Sequence, residues 1–376
     1  MTKIRLGIIG GGGDSLIGPV HRIAASMFDC FELIGGVFNP IWEENIRFAK
    51  KLGLDESRIY NDLEDFIRVE TALPANQRMQ VVSVLTPNFL HFPMAKQLLE
   101  EGFHVICEKP LTTSYREALE LKKIREEKQS IFAVTYTYTG YPMIRQLRSM
   151  IQNGDIGEIQ KIDAQYYQGW INPVIHSPES RKTVWRLQPK KSGQSCCIGD
   201  IGTHAFQMLE YVMGKKIKTI LADLNYLYED NLMDIDGTIL LRMNGNAKGV
   251  LRASQIATAE ENNFTIAIYG TKGYLKWAQE NPNYLYFGLE NIPLQVLKPG
   301  HAYNTTSASH ATKLPPGHPE GIFDAMGNIY RGVANAITKK TVEGSYPDLN
   351  DGVRGMQFIE AVVQSHQSGN TWIEIE

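Results

Sequence analysis

The chain has 376 residues, a length that suits about two domains. Hydrophobic residues make up 43% and the formal charge is -3, from 38 Lys plus Arg against 41 Asp plus Glu. That near-balance argues against the basic face needed for nucleic-acid or membrane-surface binding, and the apolar content argues against disorder.

Ile4–Ile9 is short, apolar and β-branched, and reads as a buried strand. A glycine turn, Gly10-Gly11-Gly12-Gly13, follows, and Gly18-Pro19 opens a helix. Phe31–Phe38 is the second strand and Trp42–Leu52 a helix. Val81–Leu85 is another buried strand, stopped by Thr86-Pro87-Asn88. Met94–Glu101 is a helix, Phe103–Cys107 a strand, Ser114–Lys128 a helix and Ile131–Thr135 a strand. Strand and helix alternate throughout, which implies an α/β fold with a parallel sheet covered on both faces and right-handed crossovers.

The pattern then changes. A helix at Pro142–Asn153 precedes a strand run from Ile159 to Trp170, and Ile201–Met213 is one helix. Strand candidates follow near Thr219–Leu227, Gly237–Met243, Gly249–Ala257, Phe264–Tyr269 and Tyr284–Leu289. Strands in succession suggest a second domain with a large, open, mostly antiparallel sheet. Helices at Ile322–Ala336 and Gly352–Gln367 end the chain. The domains are expected at 1–137 and 138–376, with the helix 352–367 free to pack back on the first. The junction has no Pro/Ser-rich linker, and the cleft of such a pair is the default place for a site.

No run reaches the ~18 to 20 apolar residues of a membrane span. The first strand begins at Ile4, which leaves no room for a signal peptide and predicts a cytoplasmic protein. Cys30, Cys107, Cys196 and Cys197 are too few for a disulfide framework and lack zinc-site spacing. No histidine pair shows ligand spacing either, so no metal is expected.

A nucleotide pyrophosphate needs backbone N–H groups at close range with a helix N-terminus behind them. The segment Gly10, Gly11, Gly12, Gly13, Asp14, Ser15 and Leu16 supplies that context, between a strand and a helix. Gly10-x-Gly12 fits the dinucleotide fingerprint, but Ser15 stands at the third glycine position and the next glycine is Gly18. The second strand ends in Asn39 where NAD-binding folds place an acid. Asn39 can still bond a ribose hydroxyl, and Arg47, the nearest cation, lies well into the helix, which favours NAD over NADP.

Lys109 ends a strand, where ligands gather in open α/β folds, and its ammonium can hold charge developing on a substrate oxygen. Taken alone it reads equally as a partner of Glu108. Asp200 and His204 are four apart at a helix start, which brings them to one face. A carboxylate beside a histidine fixes its tautomer, and histidine is the usual proton acceptor near neutral pH. Taken alone they read as a helix cap and a core residue. His91 faces the cofactor side, and His318 lies in the loop Pro315–Gly321, within reach of a substrate or simply solvated. His21, His104, His176, His301, His310 and His366 read as surface or packing positions. Among the aromatic residues near the junction, most read as core, and Tyr138 and Trp170 are candidates to pack on a sugar ring.

Together these residues resemble the glucose–fructose oxidoreductase, inositol dehydrogenase and rhizopine catabolism family, written Gfo/Idh/MocA. The resemblance rests on Gly10–Gly13, Thr86-Pro87-Asn88 with His91, Glu108-Lys109-Pro110 and Gly199-Asp200-Ile201-Gly202-Thr203-His204, and spans essentially the whole chain. Trp185-Arg186 and Gly317-His318-Pro319-Glu320-Gly321 look like a branch acting on sugars or cyclic polyols. The resemblance implies an N-terminal Rossmann domain, a C-terminal sheet whose exposed face builds homodimers or homotetramers, and NAD as cofactor. It implies Lys109, Asp200 and His204 as the catalytic trio. Glu108 would meet the cofactor ribose, Thr86, Pro87, Asn88, His91 and Lys109 would line the cofactor site, and Tyr138, Trp170, Arg186 and His318 would meet substrate. The expected reaction is hydride transfer from a sugar or polyol hydroxyl. Two alternatives stay open: a glycosidase or lyase that oxidises its substrate transiently with tightly bound NAD, and a non-catalytic nucleotide sensor.

Overall fold

The computed structural model describes residues 3–13, 15–245, 247–339 and 345–375. The chain forms two compact units, Met1–Thr137 with Ile322–Val353, and Tyr138–Gly321 with Arg354–Glu376.

The first unit carries strands β1 (Ile4–Gly10), β2 (Phe31–Val37), β3 (Val81–Leu85), β4 (His104–Cys107) and β5 (Phe132–Val134). They pair in parallel in the order β2-β1-β3-β4-β5. All five residues of β3 are buried, as a central parallel strand covered on both faces requires. The order reverses between β1 and β3, and the loops at the carboxyl ends of β1, β3 and β4 hold the motifs singled out above. Local signals set the helix ends. The Ser114 side chain accepts from Glu117 N and Glu117 reaches back, a capping box that starts Tyr115–Lys128. Asp62 caps Leu63–Ala72, a helix absent from the sequence expectations despite that cap. The segment returning late in the chain packs the helix Ile322–Ile337 on the helix Ile17–Ser26 and buries Tyr330.

The second unit is built on a nine-stranded sheet. Its strands are β6 (Ile159–Tyr167), β7 (Ile217–Asn225), β8 (Asp236–Met243), β9 (Lys248–Ser254), β10 (Asn263–Gly270), β11 (Gly273–Ala278), β12 (Leu285–Leu289), β13 (Gln295–Leu297) and β14 (Ile373–Glu374). The order is β13-β12-β11-β10-β6-β9-β8-β7-β14, and among the described residues of this sheet only β6 and β9 pair in parallel. Strand β8 alternates buried Ile239 and Leu241 with exposed Thr238, Leu240 and Arg242, so one sheet face is solvated. β11, β13 and β14 add to the expected strands, and short helices within 172–192 add to the expected helices. The expected helix 201–213 is also modified: Ile198–Gly202 is a π-helical turn, and the α-helix proper is Thr203–Met213. Among the described residues no helix is long and apolar enough to cross a membrane.

The helix Thr203–Met213 is fixed from two sides. Phe206 stacks on Phe358 with ring centroids 4.1 Å apart, worth roughly 0.5–1.5 kcal/mol beyond area burial. Arg354 Nη2 donates to Glu210 Oε1 at 2.9 Å and to Ile217 O at 2.6 Å, and Ile217 N donates to the same Glu210 oxygen at 2.8 Å. Both side chains are more than nine-tenths buried. Lys216 Nζ also reaches Glu210 Oε2 at 2.8 Å from the exposed side, so removing Arg354 leaves the Glu210 charge only partly compensated. Arg354→Met should therefore cost about 3–5 kcal/mol in denaturant unfolding, and adding Glu210→Gln should recover part of the loss.

Candidate functional site

In the first unit the glycine turn has the geometry a pyrophosphate demands. Gly10, Gly11 and Gly13 adopt φ of 84°, 68° and 55°, a region other residues rarely enter. A Cβ on Gly12 would lie 2.5 Å from Phe38 O, and one on Gly18 would lie 1.9 Å from Gly11 O. Gly18 therefore does the packing work of the fingerprint's third glycine, and the loop is longer than the simple motif. Ser15 sits inside that longer loop. Its N donates to Gly12 O and its Oγ accepts from Gly18 N at 3.1 Å. Leu16 is exposed. Asp14 lies outside the described residues.

At the end of β2, Asn39 Oδ1 accepts from Ile41 N at 2.8 Å, a turn that leaves its amide as a donor. Arg47 is exposed and pairs with Glu44 on its own helix.

At the end of β3, Thr86 Oγ1 is buried with no hydrogen-bond partner among the described residues. Asn88 is buried in the short turn that follows Pro87. His91 is fully buried, with Nδ1 2.8 Å from Pro110 O and Nε2 2.8 Å from Thr86 O. Burial pushes its pKa below the usual histidine range, and the two carbonyls only partly offset this. It braces the ends of β3 and β4 against each other. The glycine cradle and the orphaned Thr86 hydroxyl are features that a bound dinucleotide would complete, so the residues present fit one.

Beyond β4, Lys109 is half-buried and the Lys109–Pro110 peptide is cis. The Glu108 side chain is 12% exposed. Its Oε1 accepts from His21 Nε2 at 3.0 Å and from the Thr135 hydroxyl, and its Oε2 accepts from Lys109 N at 3.2 Å. Burial would raise the Glu108 pKa, but the His21 hydrogen bond and charge, the Lys109 charge and the Thr135 hydroxyl together lower it to about 2. His21 Nδ1 lies 2.7 Å from the Tyr330 hydroxyl, which lies 2.8 Å from Ser83 Oγ. His21 is thus no simple packing residue. The sequence signal was present, since Gly18, His21, Ala24 and Ala25 form the buried face of their helix.

In the second unit Asp200 occupies the π-helical turn and His204 the first turn of the helix behind it. Such turns are frequent at functional sites. Asp234 is fully buried and anchors this segment, its Oδ1 and Oδ2 each accepting at 2.9 Å, from Cys196 N and Ile198 N. Burial pushes the Asp234 pKa up against those bonds. Gln255 Nε2 donates to Asp200 Oδ2 at 2.9 Å, while the Cys196 thiol donates to Gln255 Oε1. Arg186 Nε lies 3.5 Å from the same Asp200 oxygen, and its guanidinium carbon lies 4.5 Å from the Trp185 ring centre and 5.8 Å from that of Trp170. The Tyr138 ring meets His204 edge-on with centroids 4.9 Å apart, and its hydroxyl lies 2.5 Å from that of Tyr166. His318 is exposed, with Nδ1 3.3 Å from Pro315 O in its own loop.

The structure therefore groups Asp200 with Arg186 and Trp170, and Tyr138 with His204. Asp234 and Gln255 escaped the sequence reading. Asp234 stands as an acid between Met233 and Ile235, a usable signal. Gln255 has none, because only the fold carries the end of β9 to the π turn. Cys107, Cys196 and Cys197 are buried, which pushes their thiol pKa values up. Among the described residues no group of His, Cys, Asp and Glu could hold a metal.

Comparison with known proteins matches residues 4–136 to the oxidoreductase family with an NAD-binding Rossmann fold, and 144–276 to the GFO/IDH/MocA C-terminal domain. The uncharacterised oxidoreductase YfiI of Bacillus subtilis is 33% identical, over 99% of this chain and 97% of its own. An inositol dehydrogenase homologue of Azotobacter vinelandii, crystallised with NAD+, superposes with a TM-score of 0.93 at 33% identity, covering 100% of this chain and 98% of its own. A second structure of an inositol dehydrogenase homologue from that organism, with NADH and myo-inositol, gives 0.90 at 32% identity with the same coverage.

Two outcomes follow. Gly18→Ala should lower the thermal midpoint and weaken NADH binding at least about tenfold, read by fluorescence titration, because the helix must retreat from Gly11. Ionised Glu108 stabilises the fold fully above its unfolded pKa of ~4.3, and this contribution is lost as pH falls toward the folded value. The stability gap between wild type and Glu108→Gln should thus be widest near neutral pH, on the order of 3 kcal/mol, and close on acidification. Denaturant midpoints measured against pH check this.

Proposed function

The chain belongs to the Gfo/Idh/MocA family of NAD-binding oxidoreductases, and we propose that it oxidises a secondary hydroxyl of a cyclic polyol or sugar to the ketone. The observation that carries the substrate class is the group formed by Trp170, Trp185, Arg186 and Asp200, with Gln255 behind it. Indole faces suit the C–H faces of a sugar ring, and fixed polar groups beside them suit its hydroxyls. The family resemblance and the myo-inositol held by the Azotobacter homologue structure point the same way.

In this reading bound NAD supplies the hydride acceptor, and the protein supplies alignment and proton transfer. His204 takes the hydroxyl proton as the C–H hydride departs, so that the products are ketone, reduced cofactor and one proton. The Lys109 ammonium donates to the same oxygen and opposes the negative charge that develops on it. Asp200 holds the proton-accepting segment polar and orients the imidazole and substrate hydroxyls. Glu108, Thr86, Asn88 and the glycine turn bind cofactor, and the Asn39 amide offers donors to its ribose.

A panel of inositols and aldoses with NAD, followed at the NADH absorbance, tests the reaction. Substrate consumption with product release but no net NADH would favour the redox-assisted cleavage alternative. With the best substrate, Lys109→Ala and His204→Ala should each lower kcat by roughly a hundredfold to ten-thousandfold while NADH affinity stays nearly unchanged. Near-normal turnover in both variants would reject the assignment.

A further inference from the structure

The helix that follows the glycine turn and the loop that carries Lys109 lie beyond different strands, β1 and β4, with β3 between them. One side chain bridges them. His21, on that helix, is fully buried and reaches Glu108, the neighbour of Lys109. Its other nitrogen meets Tyr330, and Tyr330 meets Ser83 on the intervening strand. We propose that His21 is a positioning residue that locks the pyrophosphate end of the cofactor site to the Glu108–Lys109 end, acting through Glu108. The proposal rests on the reading that Glu108 and Lys109 serve bound cofactor and substrate.

The chemistry of the chain supports this role. An ionised carboxylate only accepts, so His21 Nε2 carries the proton of that bond. Nδ1 can then accept from the Tyr330 hydroxyl while Tyr330 accepts from Ser83, or donate to Tyr330 while Tyr330 donates to Ser83. Every group stays bonded in both arrangements, so the brace holds whichever charge the ring carries. Besides His21, Glu108 has the Thr135 hydroxyl on Oε1, a backbone N–H on Oε2 and the charge of Lys109 nearby. Without His21 the carboxylate would be short of a partner inside the unit, and a buried charge in that state shifts position or takes up a proton. Either change would move the turn that begins at Lys109.

Two conservative variants separate positioning from packing. In His21→Gln the terminal amide nitrogen stands near the place of Nε2 and keeps the donor to Glu108. In His21→Asn the amide nitrogen stands near Nδ1 and loses it. NADH titration of the full-length protein should show His21→Asn weakened about tenfold to hundredfold and His21→Gln close to wild type. Wild-type affinity in His21→Asn, or equal losses in both variants, would overturn the inference. Where His21→Asn does not fold, Tyr330→Phe reads the same link from its far side, because it removes the hydroxyl that seats His21 Nδ1. It should lose NADH affinity severalfold, and undiminished affinity overturns the inference. Turnover of Lys109→Ala judges the reading of Lys109 separately, so either can fail while the other stands.

Discussion

A carboxylate kept ionised inside the first unit is the constraint from which its functional edge follows. Moving such a group out of water costs several kcal/mol unless donors and a positive charge surround it. Glu108 recruits them from positions far apart in the chain: His21 after β1, Thr135 after β5 and the charge of Lys109 beside it. His21 in turn needs Tyr330, which arrives on the segment Ile322–Val353 almost two hundred residues after the sheet is complete. The late return of the chain is therefore part of the cofactor-binding unit's chemistry as well as its packing. It also answers the plainest objection to Lys109. Both Glu108 oxygens are engaged by other donors, one of them the Lys109 backbone, so the carboxylate does not exist merely to pair with the lysine side chain.

The second unit solves a related problem differently. Asp234 is buried among backbone N–H groups, where burial works to raise its pKa, and its two bonds to Cys196 and Ile198 fix where the π turn begins. Asp200 is held in that turn by the uncharged Gln255 amide, with Arg186 slightly farther off. A neutral donor restrains a carboxylate without cancelling its charge, whereas a close bidentate arginine would neutralise it. Gln255 extends from β9, which pairs on one side with β6 and on the other with β8. The restraint thus comes from the residue just beyond the end of a central strand of the nine-stranded sheet.

What could be read from the sequence follows the range of the interactions concerned. The parallel strands β1 to β4 announced themselves as continuous apolar runs, and the glycine turn, Glu108-Lys109-Pro110 and Asp200 with His204 are local patterns. Family models and related structures place the chain where those patterns pointed. The π turn escaped because it lies mostly ahead of the apolar helical pattern and is held by Asp234 and Gln255, which are remote in sequence. β11 and β14 escaped because Gly273–Ala278 is a strand by virtue of pairing with β10 and β12, and Ile373–Glu374 by pairing with β7. Gly18 was visible as the next glycine of a longer loop, but only the 1.9 Å approach to Gly11 shows that it does the work of the glycine missing at Ser15. Glutamine at 255 had no pattern to betray it.

These restraints bear on what the proposed substrate site would discriminate. Asp200 is fixed by Gln255, and Gln255 by the Cys196 thiol, before any substrate arrives. Arg186 lies beside two indole rings. Polar groups held in place cannot turn toward one another when a hydroxyl is missing, so a deoxy analogue leaves them unpaired at the full desolvation cost. Aromatic faces, by contrast, lose little when a ring substituent changes size. A site of this construction selects by the number and orientation of hydroxyls, where discrimination reaches ~10⁴-fold or more, and only weakly by bulk, where a methylene is worth about 1–3 kcal/mol. In the proposed site, preorganisation at Asp200 would serve specificity as well as alignment, and both would descend from the same buried amide at the end of β9.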